Sequence, residues 1–444
     1  MEHPIVIRLE NGDNFRGLKD KLGSKVLHSN IICQPEFNLG FHSYIHQTKN
    51  KMNITSKLET KDKFYYIVNA FESDENLMKK TSEFLKLSKE SPKILSRAFF
   101  KMWEILMVFD LVDNKELTYA ALAEGPGSFL QAVMEYRKKY NNLSKDKYYS
   151  ITIHPEDGKN IELSKSFLGY VKESYPDLLK NHKTYGGASL KKYKSRDSGD
   201  LTDFKSISNF RKEVKKGKRL ANLVSGDGGF AWNDENYQEQ EAFALIIGEL
   251  LGGLMIQDKG GHMVLKMFES FTKITVKILY ILSSLYEEVY LYKPYFSRVS
   301  NSEKYVVCKG FRYEQKKDKN LLDVLYNDLE KILKQFDTDK YIVDIFPDLE
   351  VNEIFLNKIR LINIEIANKQ QVMINRIVSY IKENNYFGDK YHKYLETHNK
   401  SIEYWIERFL VNKEKLEENK KKLTTDLKKV LSNQKSEIDE MIDI

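Results

Sequence analysis

Four segments each offer one ionisable residue at an unusual place: Lys101, Asp227, Lys266 and Glu303. Lys266 closes a short apolar run, GGHMVLKMF, that reads as a glycine turn entering a strand. A charged amine there either reaches back to solvent or has a lowered pKa and a task. Asp227 sits in SGDGGF, where the glycines allow a tight, exposed turn directly after a strand. Lys101 lies one helical turn beyond Arg97, so both face the same way. Glu303 opens the strand SEKYVVCKG, after the hydrophilic Ser297, Arg298, Ser300, Asn301 and Ser302. Two lysines flanked by two carboxylates suit the attack of a ribose 2′-hydroxyl on a methyl sulfonium, in which the proton must leave as the C–O bond forms. A lysine serves as the base only if desolvation and a like-charged neighbour bring its pKa towards neutrality. Lys101 would be that neighbour while holding the substrate ribose or phosphate. Asp227 and Glu303 would orient the lysines, and Asp227 would favour approach of the cationic donor. The chemistry needs no metal, and the chain offers no convincing metal site. The competing reading is four separate surface ion pairs, in a chain that is 30% charged.

A second set of residues suits a ligand. AEGPGSF, residues 123–129, follows a buried strand and opens a helix, and Gly125 and Gly127 let backbone approach a ligand closely. It is not the dinucleotide fingerprint, because Leu130 replaces the third glycine and Pro126 lacks the N–H of a phosphate cradle. The turn suits the amino-acid end of S-adenosylmethionine, with Glu124 near its amine; the alternative is a plain strand-to-helix turn. In GDLTDF, Asp200 either accepts from an adenine amino group or caps a helix beginning near Thr202.

These residues need a scaffold. SRAFFKMWEILMVFDL spaces Phe99, Met102, Trp103, Leu106 and Phe109 at a 3.6 period, which predicts a helix. Strands are expected over 117–123, 148–153, 219–225, 263–268, 289–293 and 304–309, with helices over 128–139 and 271–285. This alternation predicts an α/β, Rossmann-like domain: a seven-stranded, mostly parallel sheet with helices on both faces. Ligands bind such sheets beyond the carboxyl ends of the strands, where the motifs above fall. The division expected is an N-terminal accessory region over 1–90, a catalytic domain over 91–312 and a charged helical region over 313–444. Region 1–90 shows one strand-like piece, Ile5–Leu9, and an aromatic-basic patch around Lys61–Phe71. Near the C-terminus Leu416, Leu423, Leu427, Leu431 and Ile438 form an amphipathic pattern, for docking on the domain or pairing with a protein partner.

Composition sets outer bounds. A content of 41% hydrophobic and 12% aromatic residues supports a packed core. The net charge of +7 is compatible with an RNA partner without demanding one. Cys33 and Cys308 are too few for a disulfide framework or a cysteine zinc cluster. MEHPIVIRLENG lacks the pattern of a secretory leader, and the greasy run Phe271–Tyr286 carries Lys273 and Lys277 and falls short of the ~18 apolar residues of a membrane span. The expectation is a protein of a reducing compartment, cytoplasmic or nuclear, with no membrane partner. Basic clusters at Lys191–Arg196 and Lys215–Arg219 read as solvated loop charge or nuclear signals, and Tyr380–Phe387 with Lys390 and Lys393 as RNA-stacking or bundle-core aromatics.

Taken in order, SRAFFKMWEIL, LAEGPGSFLQAV, SGDLTDFKSISNF, LVSGDGGF, NYQEQEAFALIIGELL, KGGHMVLKMFESFT and LYKPYFSRVSNSEKYVVCKGFR resemble the FtsJ-like RNA ribose 2′-O-methyltransferases, most of all their mRNA cap-1 branch. The resemblance covers Ser91–Arg312. It implies a Lys-Asp-Lys-Glu tetrad on Lys101, Asp227, Lys266 and Glu303, with Lys266 as proton acceptor. It implies S-adenosylmethionine as cofactor, held by Glu124, Gly125, Pro126, Gly127, Ser128, Phe129 and Asp200, and substrate contacts at Arg97, Gln240 and Arg298. The partner implied is RNA, at the 5′ end of capped mRNA; ribosomal or transfer RNA, or an idle RNA-binding scaffold, are the rivals. The chain departs from the cap branch at Ala121, Glu124 and Ser128, and after the second strand it offers His154, Glu156 and Asp157 as the ribose-side polar group. The drift and charged tail are similar to those of large-DNA-virus members, which suggests a viral source.

Overall fold

Strands that are apolar on both faces alternate with helices through the middle of the chain, and together they form one eight-stranded sheet. The computed structural model describes residues 5–10, 14–32, 39–57, 69–87, 94–141, 145–153, 163–174, 182–185, 198–229, 233–336, 340–383 and 388–442. The strands are β1 (Ile5–Leu9), β2 (Val26–Ser29), β3 (Thr118–Leu122), β4 (Lys147–Ile151), β5 (His182–Tyr185), β6 (Ala221–Gly226), β7 (Gln257–Met267), β8 (Tyr286–Lys293), β9 (Lys304–Phe311) and β10 (Tyr341–Ile345). The helices that bear on the site are α1 (Leu39–Asn50), α2 (Glu75–Leu85), α3 (Ala98–Phe109), α4 (Ser128–Tyr140), α5 (Lys165–Ser174), α6 (Phe204–Lys216), α7 (Phe243–Leu254), α8 (Lys273–Leu285), α9 (Lys319–Leu333), α10 (Glu353–Glu383), α11 (Asp389–Phe409) and α12 (Leu416–Ile442).

The sheet order is β1-β8-β9-β7-β6-β3-β4-β5. Strands β3 to β7 pair in parallel, while β9 is inserted antiparallel between β7 and β8. That is the seven-stranded, mostly parallel Rossmann-like sheet expected, with one addition. The eighth strand is β1, from outside the expected domain, pairing antiparallel with β8 along the edge. It covers what would otherwise be an exposed edge. Strand β5, with the polar sequence HKTY, was not anticipated, because it carries no apolar run. The N- and C-terminal regions also meet directly: β2 pairs antiparallel with β10.

One apolar layer, on the α7 and α8 side, includes Leu122, Val224, Met263, Leu265 and Val306. The other, on the α3 and α4 side, includes Tyr119, Ala121, Leu223, Val264, Tyr305 and Val307. Alternation along each strand assigns these residues to opposite faces. Helix α8 lies inside the fold, and its Lys277 ammonium donates to Asp344 Oδ1 at 2.9 Å, Asp344 Oδ2 at 3.0 Å and the carbonyls of Ile345 and Phe346. The apolar run of this segment therefore belongs to a core helix whose charge is satisfied by β10. Among the described residues, no helix is long and apolar enough to cross a membrane.

The C-terminal helices close over α3. Trp103 Nε1 donates to the carbonyl of Phe409 at 2.8 Å, and the Trp405 ring meets Phe100 edge-on at 5.4 Å between centroids. Trp405 Nε1 donates to Glu104 Oε2 at 3.1 Å, while Glu104 Oε1 accepts from Tyr292 OH at 2.5 Å and Tyr295 N at 3.1 Å. Burial lifts the Glu104 carboxyl to about 7 against those three donors. Leu416 and Leu423 of α12 are buried on the same apolar layer, with Leu427 and Leu431 packed beside them. The amphipathic C-terminal helix thus docks on its own domain; the Ile438 side chain lies outside the described residues, as do Cys33, residues 61–68 of the aromatic-basic patch, residues 384–387 and Lys191–Arg196.

Replacing Trp405 with Ala should lower the unfolding free energy by about 3–5 kcal/mol, the usual cost of emptying a buried indole site. Denaturant melts would check this, and a loss below about 1 kcal/mol would show that α11 is not part of the cooperative unit.

Candidate active site

Strand register places three members of the tetrad, Asp227, Lys266 and Glu303, side by side. Gly226 at the end of β6 pairs with Leu265 of β7, so Asp227 and Lys266 follow together at the carboxyl edge. Lys266 lies directly opposite Tyr305 of β9. Glu303 precedes Tyr305 by two residues and so projects from the same face. That face is covered by α3, which brings Lys101 down onto Glu303.

The resulting contacts are short. Lys101 Nζ donates to Glu303 Oε1 at 2.6 Å. Lys266 Nζ donates to the Asp227 carbonyl at 3.0 Å and lies 3.4 Å from Asp227 Oδ1. The Tyr305 hydroxyl donates to that same Oδ1 at 2.9 Å. Burial, with Asp227 and Glu303 nearby, pushes the Tyr305 phenol well above its ordinary range, so it stays a donor. Gly229 passes close over the site: a Cβ there would come within 3.2 Å of Lys266 Nζ.

The electrostatics correct one expectation. Burial acts to lower the Lys266 pKa, but Asp227, Glu303 and Glu249 more than offset it, so the amine is held above the ordinary lysine range. Glu303 is the converse. Burial would raise its pKa, yet Lys101, Lys266 and Lys293 hold the carboxyl well below its usual range. Lys101, the like-charged neighbour expected to discharge Lys266, pairs instead with Glu303 at 2.6 Å.

Several participants carry no motif. Glu249, on α7 behind the tetrad, accepts from Gly228 N at 3.0 Å, and burial lifts it to about 8. A Cβ on Gly228 would fall 2.6 Å from Glu249 Oε1, so only glycine fits that contact. The signal was a lone acid within FALIIGELLGGL. Lys293, at the end of β8, donates to Ser297 Oγ, Asn301 O, Asn301 Oδ1 and Glu303 O at 2.7–3.0 Å, and burial lowers it to about 7. It fixes the loop that delivers Glu303. Glu72, from the N-terminal region, holds both expected substrate arginines: Arg97 Nη1 at 2.7 and 2.8 Å and Arg298 Nε at 3.0 Å. Gln240 sits on a short helical turn before α7, with its amide nitrogen buried and unpartnered among the described residues. No hydrogen bond joins it to the tetrad among those described.

The expected cofactor residues are largely turned inward. Glu124 is buried rather than presented to a ligand amine: its Oε1 accepts from Leu130 N at 2.9 Å, capping the start of α4, and burial lifts it to about 8. Ser128 shares a 2.7 Å hydrogen bond with Ser96, Phe129 packs at 5.8 Å from the Tyr305 ring, and the Pro126 carbonyl accepts from Ser164 N at 2.9 Å. The Gly125–Pro126 peptide is cis, and Gly127 takes a φ of +108° that favours glycine. Asp200 Oδ1 accepts from Thr202 N and Thr202 Oγ1, both at 2.8 Å, and Asp203, not Asp200, caps α6. His154, Glu156 and Asp157 lie outside the described residues. Among the described residues, no group of three potential ligands could hold a metal ion.

Comparison with known proteins bears on this arrangement. Residues 94–311 match the model of the FtsJ-like methyltransferase family. The cap-specific mRNA (nucleoside-2′-O-)-methyltransferase 1 of Caenorhabditis elegans is 27% identical over 289 residues, covering 62% of this chain and 28% of its own length. The Homo sapiens protein of the same name is 32% identical over 237 residues, covering 49% of this chain and 26% of that one. A Caenorhabditis briggsae relative, named an inactive cap-specific mRNA (nucleoside-2′-O-)-methyltransferase 1B, is 26% identical over 61% of this chain and 30% of its own length. This chain thus spans less than a third of the length of these curated relatives. Among solved structures, a putative ribosomal RNA methyltransferase from Plasmodium falciparum overlaps 49% of this chain and 97% of its own, at 18% identity and a TM-score of 0.33, too loose a likeness to argue from.

Glu249 gives a direct test of the electrostatics. Its pKa rises from 4.5 to about 8 on folding, so between those values the folded state keeps a proton that the unfolded chain releases. Stability from this group therefore falls as pH rises through that window, by up to about 1.4 kcal/mol per unit. Glu249→Gln keeps an acceptor for Gly228 and removes the titration. Between pH 5.5 and 7.5 the wild type should lose about 1–3 kcal/mol more unfolding free energy than the variant. Parallel pH dependences would refute the buried, protonated assignment.

Proposed function

Residues 94–311 being an FtsJ-like methyltransferase domain, we propose that this protein methylates RNA at a ribose 2′-hydroxyl, with S-adenosylmethionine as donor and the first transcribed nucleotide of capped mRNA as target. The observation that carries the proposal is the joined constellation of Lys101–Glu303 and Lys266–Asp227 at the carboxyl edge of the sheet, braced by Tyr305. The names of the worm and human relatives support the cap as substrate. A relative named as inactive matches almost as well, so overall similarity alone does not argue for turnover; the four side chains do.

The residues present fit the donor. Beyond β3 and β6 the chain carries Gly125, Gly127, Gly228 and Gly229; a Cβ on Gly127 or Gly228 would press on Leu163 or Glu249, and one on Gly229 on Lys266, so the backbone runs close to the tetrad. Gly125–Phe129 and Asp200 would hold the donor by backbone and carboxylate, and Glu124 would act from behind by fixing the start of α4. When bound, the donor supplies an electrophilic methyl group on a positively charged sulfur. Lys101, fixed by Glu303, is placed to hold the ribose. Lys266 is placed to take the proton from the 2′-oxygen as the C–O bond forms, and Asp227 holds its amine in line. The bound donor would keep the electron pair of the broken S–C bond on its sulfur, so the positive charge would leave with the hydroxyl proton taken up by Lys266. Because the carboxylates favour the ammonium form, Lys266 must first shed a proton to act.

Incubation with labelled donor and matched RNAs, capped and uncapped, followed by digestion to nucleosides, tests the proposal. Product on capped RNA alone is expected; absence of 2′-O-methyl product on every RNA would remove the enzyme reading, and cap-independent product the cap reading. Lys266→Ala should reduce turnover by at least about a hundredfold while donor binding by calorimetry survives. With both substrates below their KM, the wild-type rate should climb across pH 7–9 without a plateau, since the free Lys266 amine is held above its ordinary pKa. A flat profile would remove Lys266 as the proton acceptor.

A further inference from the structure

We propose that Glu72 is a positioning residue that sets Arg97 and Arg298 as a two-guanidinium clamp for one phosphodiester of the RNA beside the target ribose. This rests on the RNA reading above and adds a residue from outside the methyltransferase domain. The two arginines reach the same carboxylate from different elements. Arg97 stands at the start of α3, one turn before Lys101, and Arg298 lies in the loop that ends at Glu303. Each arginine therefore sits just upstream of one partner in the Lys101–Glu303 pair.

Charge and geometry distinguish a clamp from a plug. Two guanidiniums side by side repel, and one carboxylate between them reduces the set to a single net positive charge, which matches one phosphodiester. Arg97 gives only its Nη1 to Glu72, and its guanidinium makes no other hydrogen bond among the described residues. A guanidinium held by one nitrogen keeps donors in fixed directions for a second anion.

The segment that carries Glu72 is bracketed on both sides. Phe71 packs against Tyr295 at 4.5 Å and Phe296 at 6.3 Å between ring centroids. Asp74 caps α2 through Leu77 N at 2.7 Å and contacts His398 Nε2 of α11 at 3.1 Å. The other His398 ring nitrogen contacts the Ala70 carbonyl at 3.0 Å. A carboxylate meant to leave the site when RNA arrives would not be tied down at residues 70, 71 and 74. Glu72 is built in.

The test uses the full chain with Glu72→Gln, which keeps the shape and removes the charge, and Glu72→Ala as the second variant, each checked for wild-type thermal stability. Both should raise the KM for a short capped RNA by about tenfold, with kcat changed less than about threefold and donor affinity unchanged. In an Arg97→Ala/Arg298→Ala background the same Glu72 substitutions should add nothing, since the residue acts through those side chains. A fall in KM would show a plug, an unchanged KM would show no role, and a full extra loss in the double-arginine background would show that Glu72 acts elsewhere; each overturns the proposal. RNA affinity by fluorescence anisotropy separates the two levels: if the wild type methylates no RNA the reading above fails, while equal affinities for wild type and Glu72→Gln sink the clamp alone.

Discussion

Two ammonium groups in one largely buried corner are the constraint on which the site depends. Removing a charge from water costs several kcal/mol unless it is paired and hydrogen-bonded. Lys101 and Lys266 therefore oblige the fold to deliver carboxylates to the same place: Glu303 at 2.6 Å from one and Asp227 at 3.4 Å from the other. The antiparallel insertion of β9 between β7 and β8 does this. It presents the start of β9, with Glu303, at the same edge as the end of β7, with Lys266. A sheet with β8 next to β7 would leave Lys101 and Lys266 facing each other without Glu303.

The segments on either side of residues 94–311 supply second supports for the loops at this edge. Gln370 of α10 donates to the Ser300 carbonyl at 2.9 Å, in the loop between Arg298 and Glu303. Asn363, about two turns earlier on α10, exchanges hydrogen bonds with Ser270 beyond β7. Lys49 of α1 pairs with Glu269 in the same stretch. Trp405 and Phe409 of α11 hold α3 from behind. Each contact fixes a loop or helix bearing one of the tetrad side chains rather than a tetrad side chain itself. Positioning of this kind allows a site to be held to a fraction of an ångström without adding charge to it.

The sequence makes the tetrad legible for a reason of chemistry: a polar residue at the end of an apolar strand has few structural uses. Lys266, Asp227 and Glu303 each stand at such an end, and the helical period of α3 orients Lys101. Glu124 misled for the opposite reason. An acid in a glycine turn looks available, but the unsatisfied N–H groups at the start of α4 are nearer than any ligand and claim it. Asp200 shows the same competition, with Thr202 taking its Oδ1. The contact of Glu72 with Arg298, the docking of Trp405 on Glu104 and the pairing of β1 with β8 were out of reach because those partners lie more than 200 residues away, and no local spacing records them. The direction of the Lys266 shift was equally hidden, since it depends on the sum of three carboxylates from three elements.

Lys293 shows how the corner avoids a third full charge. Its amine is buried beside Lys101 and Lys304, and burial rather than either neighbour is the main cause of its fall to about 7. Burial thus holds it well below the ordinary lysine range. Its partners are mostly neutral oxygens: Ser297 Oγ, Asn301 O and Oδ1, and the backbone carbonyl of Glu303. An amine can keep donating to such acceptors without its charge. Glu303 can therefore spend its carboxylate on Lys101 and its carbonyl on Lys293, one end of the residue holding the charge pair and the other holding the loop. Glu249 is the complementary case, an acid lifted to about 8 that supports the Gly228 backbone while adding little negative charge. The carboxylates of Asp227 and Glu303 lie against the two tetrad lysines, while burial acts to discharge the groups that brace them.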